Sequence, residues 1–124
     1  MIEHTEEYVT EFYKKEDGTE PAKEFIENLS PKMIATVLRV IELLEKNGPI
    51  VRMPYSEHLE DGIFEIRAKQ GSDIVRVLYF FTAGKKIILA DGFVKKTNKT
   101  PKREIKKAKK FRRDYERRTG YDKF

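Results

Sequence analysis

The chain of 124 residues contains no cysteine, and that absence excludes disulfide bonds, thiolate nucleophiles and cysteine-based zinc sites. It also lacks any hydrophobic run close to the 18 or so residues that a membrane-spanning helix needs. The opening stretch "MIEHTEEYVTEF" is acidic, whereas a secretory signal begins with positive charge and continues with an apolar segment. We therefore expect a soluble, cytoplasmic protein, and the length predicts a single domain over residues 1–124.

Standard catalytic motifs are absent as well. The two histidines, His4 near the start and His58 in a predicted loop, lack the paired spacing of metal ligands. The sequence contains no glycine-rich nucleotide loop and no serine nucleophile elbow. Its acidic residues are scattered, whereas a metal-dependent nuclease needs clustered carboxylates. We therefore expect neither a metal nor a cofactor.

Positive charge is what the chain has in excess. Lysine and arginine outnumber aspartate and glutamate by 26 to 21, and the surplus lies at one end. Residues 91–124 include 14 basic and 5 acidic side chains, so this segment carries +9 and the first ninety residues carry −4. Such a cationic face attracts polyanions, of which nucleic acid is the commonest in the cytoplasm. The alternative is a solvated helix face that only keeps the protein soluble.

Hydrophobic periodicity predicts one α+β domain in the order β-α-α-β-β-β-α. Alternating or continuously apolar runs predict strands at residues 8–14, 63–69, 74–81 and 86–94. Short turns join the last three strands into a meander. The segment 49–62 contains two prolines and no clear period, so it is interpreted as a loop.

Three helices are predicted from apolar residues spaced three and four apart. The first follows Pro21, and the second begins at a Ser30 N-cap and ends at Gly48, so that the two should form an antiparallel hairpin. The pair Thr100-Pro101 is predicted to cap the basic third helix. The inward stripes of the three helices are Ala22, Phe25, Ile26 and Leu29; Ile34, Val37, Leu38, Ile41 and Leu44; and Ile105, Ala108, Phe111 and Tyr115.

Several charged side chains should meet on one face of the meander. Alternation puts Glu65, Arg67 and Lys69 on the same face of its first strand. Arg76 is the one charge inside an apolar strand, so it needs a partner or a water-filled cleft. Glu65 or Asp91 would serve as that partner in a purely structural ion pair. Lys95 or Lys96 is expected to reach the rim of the same face.

A cluster of cations can cleave RNA without a metal. When the 2′-hydroxyl attacks the adjacent phosphorus, negative charge builds on the phosphorane oxygens, and fixed arginines and lysines stabilise it. Neighbouring cations also lower the pKa of a lysine, so that its neutral form can act as a base. Lys69, Asp91 and Glu65 are further candidates for proton transfer or support. The reaction requires RNA, because DNA lacks the attacking hydroxyl.

Three motifs in order resemble one protein family. The stretches "DGIFEIRAK", "IVRVLYFF" and "GFVKKTNKTPKREIKKA" are similar to those of the phage-derived HigB-like branch of the RelE/ParE toxin superfamily. The stretches "DGTEPAKEFIENL" and "NGP" add to the match, and the resemblance covers about residues 8–116. It implies a curved, mainly antiparallel sheet packed by an N-terminal helical hairpin and a C-terminal basic helix.

The resemblance also implies a function. Such proteins are toxins of type II toxin–antitoxin modules, and RelE-like members enter the ribosomal A site and cut messenger RNA with basic side chains. By resemblance, Arg67 and Arg76 are the catalytic strand cations, and Lys95 and Lys96 are the basic pair after the last strand. The cognate antitoxin is expected to be a helix-turn-helix DNA-binding protein. The basic helix would hold ribosomal RNA through Lys99, Lys102, Arg103, Lys106, Lys107, Lys109 and Lys110.

Two other functions fit the same family. A ParE-like toxin would inhibit DNA gyrase, and a non-catalytic member would only bind its antitoxin. The sequence also departs from several relatives, which place a histidine or tyrosine near the active basic groups for proton transfer or base stacking. No histidine lies in that region here, so the general acid and base have no assignment by resemblance.

Overall fold

The computed structural model describes residues 7–96 and 98–120. Within these ranges the chain forms five strands and three α-helices in the order β1, α1, α2, β2, β3, β4, β5, α3. Their bounds are β1 Val9–Phe12, α1 Pro21–Glu27, α2 Pro31–Asn47, β2 Ser56–Glu60, β3 Ile63–Gln70, β4 Asp73–Thr82, β5 Lys86–Val94 and α3 Lys102–Thr119. None of the described helices is long and apolar enough to span a bilayer.

The described strands form one open sheet in the order β1-β5-β4-β3-β2. The four strands from β2 to β5 pair antiparallel in sequence order, as short turns between neighbours require. β1 lies at the far edge and runs parallel to β5. The predicted α+β class is therefore confirmed, with a mostly antiparallel sheet.

Helices cover both faces of this sheet. On one face, α1 packs mainly against β5 and α2 mainly against β3, over side chains such as Val77, Tyr79 and Leu89. On the other face, α3 covers Leu78, Phe80 and Ile88. β4 is covered on both faces, which is why its sequence is almost wholly apolar. Arg76 is the exception and points to the α3 side.

The starts and stripes of the helices follow the sequence with two differences. The Ser30 hydroxyl accepts the Met33 N–H at 3.2 Å, as predicted for an N-cap, and α2 ends before Gly48, whose φ is +63°. Leu38, predicted to be buried, is 51 % exposed because the sheet covers only one flank of α2. Thr100 does not cap α3: Pro101 occupies the N-cap position, and no side chain caps the helix.

One strand was missed by the sequence analysis. Residues 56–60 form the edge strand β2, where a loop was predicted, and pair with the first half of β3. Three of the five β2 residues are exposed, as expected for an edge strand. His58 therefore lies in a strand, where its Nε2 accepts the Gly62 N–H at 3.1 Å, and not in a loop. His4 lies outside the described residues.

A β-bulge in β5 turns the side chains of Asp91 and Phe93 toward α3. Leu78 of β4 opposes Asp91, and the next residue, Tyr79, opposes Leu89, so Ala90 has no opposing residue. Ala90 and Asp91 therefore both face the α3 side, and the alternation resumes with Phe93 on that side. Gly92 faces the opposite side, where the Phe25 ring of α1 packs against its backbone.

Candidate functional site

A buried carboxylate joins the two strand arginines. Arg67 and Arg76 oppose each other directly across β3 and β4. Glu65 is fully buried, and its Oε2 lies 3.0 Å from Arg67 Nε and 3.3 Å from Arg76 Nε. Its Oε1 accepts a 2.6 Å hydrogen bond from the Thr100 hydroxyl. One carboxylate thus orients both cations and connects the sheet to the segment that precedes α3.

The sequence predicted that Arg76 needs either an ion-pair partner or a cleft, and the structure provides both. Its structural partner is Glu65, and its side chain also opens into a cleft. Burial lowers the pKa of Arg76 from its usual value, the Glu65 carboxylate opposes that shift, and the Arg67 guanidinium adds to it. Asp91, the other predicted partner, is instead paired with Lys107 of α3 at 3.4 Å.

The cleft lies between the end of β5 and the start of α3 and has a volume of about 420 Å³. Lys95 is held at its wall because its N–H donates to the Ile74 carbonyl at 2.9 Å, continuing the strand pairing past β5. The described residues that line the cleft are Arg76, Phe93, Val94, Lys95, Lys96, Asn98, Lys99, Thr100, Pro101, Arg103 and Glu104. Five of them are cations, so the cleft is suited to a polyanion.

Two carboxyl groups lie beside this cationic surface. Asp91 of β5 and Glu104 of α3 are 5 % and 8 % exposed, and each lies within 3.5 Å of Lys107 Nζ. Burial and the neighbouring Glu104 carboxyl group raise the pKa of Asp91 to about 6, although Lys107 opposes the shift. Glu104 lines the cleft, so an ionisable pair borders the cations.

Lys69 is separated from Arg76 by the structure. It is exposed near the end of β3 and lines a different groove of about 510 Å³ between α2 and β3. Arg67 reaches the same groove and also pairs with Glu57 of β2 at 3.1 Å. The predicted gathering of Arg67, Lys69 and Arg76 therefore applies to the two arginines and not to Lys69.

The basic side chains in and just before α3 fall into three groups. Lys107 pairs with Asp91 and Glu104, and Lys109 pairs with Glu60 of β2, so both bind carboxylates of this chain. Lys99 and Arg103 line the cleft. Four exposed cations have no carboxylate partner among the described residues: Lys102, Lys106, Lys110 and Arg113. Arg113 was not among the predicted RNA-binding residues.

Sequence reasoning missed Thr100 and Glu104. Thr100 was taken as a cap, but its hydroxyl binds Glu65 and so fixes the loop that carries Lys95 and Lys96. Glu104 sits in the first turn of a helix, where an acidic residue is ordinary because it favours the helix dipole. Both residues lie in the stretch "GFVKKTNKTPKREIKKA", and that position was the only sequence signal for them. A motif does not show which way a side chain points.

The fold and the cleft define a class of small α+β proteins with a cation-lined cleft between the sheet and the last helix. Residues 24–113 match the family model for the phage-derived protein Gp49-like (DUF891). Since this match spans more than half of the chain, the protein belongs to that family. The family is RelE-like and toxin-like, which supports a toxin of a toxin–antitoxin system with an antitoxin as its partner. No curated protein matches the sequence significantly.

Proposed function

We propose that this protein is a HigB-like toxin of a type II toxin–antitoxin module that cuts messenger RNA on the ribosome without a metal. The observation that carries the proposal is the cleft in which Arg76, Lys95 and Lys96 converge. Glu65 holds Arg76 in place before any ligand binds, and such preorganised charge stabilises a transition state more than a mobile charge does. The toxin acts in the cytoplasm, where ribosomes translate.

The roles of the residues follow from their places in the cleft. Arg76, Lys95 and Lys96 stabilise the negative charge of the phosphorane, and Arg67 supports Arg76 through the shared Glu65 carboxylate. Phe93 lines the cleft between these cations and offers an apolar surface for a nucleobase. The exposed cations of α3 hold the surrounding RNA through its phosphates, without reading sequence.

Expression in bacterial cells tests this function. Wild-type protein should arrest growth and leave cut transcripts that primer extension detects, and Arg76→Ala and the double variant Lys95→Ala/Lys96→Ala should relieve both effects. Arg39→Ala is a matched control, because Arg39 is an exposed arginine outside the cleft. Intact transcripts with damaged DNA in arrested cells would instead indicate a ParE-like gyrase inhibitor.

A non-catalytic binder of an antitoxin is the second candidate function. The shared ion pair favours it, because both arginines already bind Glu65 and could be structural. A binder would form a tight complex with the product of the neighbouring gene yet leave messenger RNA intact in a translating extract.

We further propose that the antitoxin is a helix-turn-helix protein whose acidic residues cover the cationic cleft. Higher salt should then slow association, and an unchanged rate would contradict this.

A further inference from the structure

The Asp91–Glu104 pair is built from two elements that the sequence separates. Asp91 reaches the α3 side because of the bulge at Ala90, and Glu104 comes from the first turn of α3. Lys107 Nζ lies 3.4 Å from Asp91 Oδ2 and 3.5 Å from Glu104 Oε1. Both of those oxygens are buried, and neither has a hydrogen-bond partner among the described residues.

This arrangement keeps a proton between two acids. Two buried carboxylates share one ammonium group, so ionising both would leave excess negative charge away from water. Burial and the neighbouring Glu104 carboxyl group accordingly raise the pKa of Asp91. Asp91 can therefore give or take one proton near pH 6, directly beside the Glu104 carboxyl group.

The pair is positioned where the reaction needs a proton acceptor. Glu104 lines the same cleft as Arg76, Lys95 and Lys96. The charged groups near the pair are Lys107 and Arg103 of α3 and the four other cations that line the cleft. Arg103 Nε lies 3.8 Å from Glu104 Oε2. Among the described residues that line the cleft, Glu104 is the one carboxyl group and no histidine is present.

We propose that Glu104 is the general base of the cleft and that Asp91 is a positioning residue that shares its proton. This inference rests on the ribonuclease activity proposed above. The Glu104 carboxylate takes the proton of the 2′-hydroxyl as the bond from the 2′-oxygen to phosphorus forms. The bond from phosphorus to the 5′-oxygen then breaks, and the 5′-oxygen takes a proton from the ammonium group of Lys95 or Lys96, which water restores. The products are a 2′,3′-cyclic phosphate and a 5′-hydroxyl.

Single-turnover cleavage of ribosome-bound transcripts between pH 5 and pH 9 tests the proposal. The wild-type rate should rise with pH and level off with a midpoint near 6. Glu104→Gln should lower the plateau on the order of 100-fold and remove the midpoint, which is the usual loss when a general base is deleted. Asp91→Asn should keep cleavage and remove the midpoint near 6, because the carboxyl group with that pKa is gone.

The possible results distinguish a wrong assignment of the general base from the absence of ribonuclease activity. Glu42→Gln is the control, since Glu42 is an exposed carboxylate of α2, and its profile should match the wild type. An active wild type together with an unchanged rate and midpoint in Glu104→Gln would overturn the inference alone. A wild-type midpoint of 8 or above would also overturn it, because a lysine base titrates there, and this readout does not depend on a variant that folds. An inert wild type would overturn the ribonuclease function and the inference together.

Discussion

At the scale of single residues, Glu65 determines the geometry of the site. It is fully buried, yet it accepts hydrogen bonds or ion pairs from Arg67, Arg76 and Thr100. Without it, two like charges would oppose each other across neighbouring strands, an arrangement that destabilises a sheet. The sequence predicted that Arg76 would pair with Glu65 or Asp91, because a lone charge in an apolar strand requires a partner, and the structure shows that the partner is Glu65. It could not predict Thr100, whose orientation depends on the loop.

Glu65→Gln should lower the free energy of unfolding by about 3 kcal/mol, the usual loss when a buried ion pair is broken. Glu57→Gln is the matched control, because Glu57 pairs with the same Arg67 but its side chain is 45 % exposed. An exposed pair of this kind contributes about 1 kcal/mol or less. Urea denaturation measures both values, and equal losses would contradict the role of Glu65.

The raised pKa of Asp91 predicts that the stability of the protein depends on pH. Its pKa rises from an ordinary 3.8 to about 6 on folding, so the native state binds more protons than the unfolded state between these values. The free energy of unfolding should therefore fall as pH rises from about 4 to about 7. Asp91→Asn removes this component, so its stability relative to the wild type should improve over that range by about 1 to 3 kcal/mol. Denaturation curves at several pH values check this, and a constant difference would refute it.

At the scale of elements, Gly92 sets how closely α1 approaches β5. A Cβ at this position would lie 2.3 Å from Phe25 Cδ2 and 2.8 Å from Phe25 Cγ, so the whole ring would have to move. The absence of a side chain on β5 therefore lets α1 pack close to the strand that leads into Lys95 and Lys96.

Gly92→Ala should lower the free energy of unfolding by about 1 to 3 kcal/mol, as overpacking of a core usually does. Phe25→Ala should also destabilise the protein, but adding Gly92→Ala to it should cost little more because the clash is gone. A double-mutant cycle by urea denaturation measures this coupling. Strictly additive losses would show that the ring of Phe25 is not what Gly92 accommodates.

Most elements could be predicted from periodicity, and the exceptions share a cause. The strand β5 was predicted with its observed bounds, Lys86–Val94, because its pattern is local. The strand β2 is short and polar and is defined by its pairing with β3, which a local pattern does not contain. The bulge at Ala90 likewise depends on β4. That bulge is why sequence analysis could not bring Asp91 next to Glu104.

At the scale of the whole molecule, the basic residues differ in whether they already bind a carboxylate of the same chain. The sequence predicted a basic C-terminal helix, but the structure shows that several of its cations bind carboxylates of the same chain, such as Lys107 and Lys109. Lys102 and Lys106 lie one turn apart and are exposed, without a carboxylate partner in the part of the chain that the structure describes. Within α3, the second kind of cation is therefore better placed to bind the phosphates of surrounding RNA.

Removing Lys102 and Lys106 should therefore weaken RNA binding more than removing the paired lysines. For Lys102→Gln/Lys106→Gln, the slope of log affinity against log salt should fall by about 2, close to one for each lost phosphate contact. For Lys107→Gln/Lys109→Gln, the slope should change by less than 1. Fluorescence titration of ribosomes at several salt concentrations gives both slopes, and a reversed order would contradict this division of α3.

We propose that a cleft with a fixed Arg76 cuts messenger RNA on the ribosome. The most direct measurement is the cleavage rate of a ribosome-bound transcript in a purified translation system. Circular dichroism first shows that the compared proteins, wild type, Arg76→Ala and Arg39→Ala, are folded. We expect cleavage by the wild type and by Arg39→Ala, and a loss of at least about 100-fold in Arg76→Ala. Equal cleavage by all three proteins, or intact transcripts with the wild type, would contradict it.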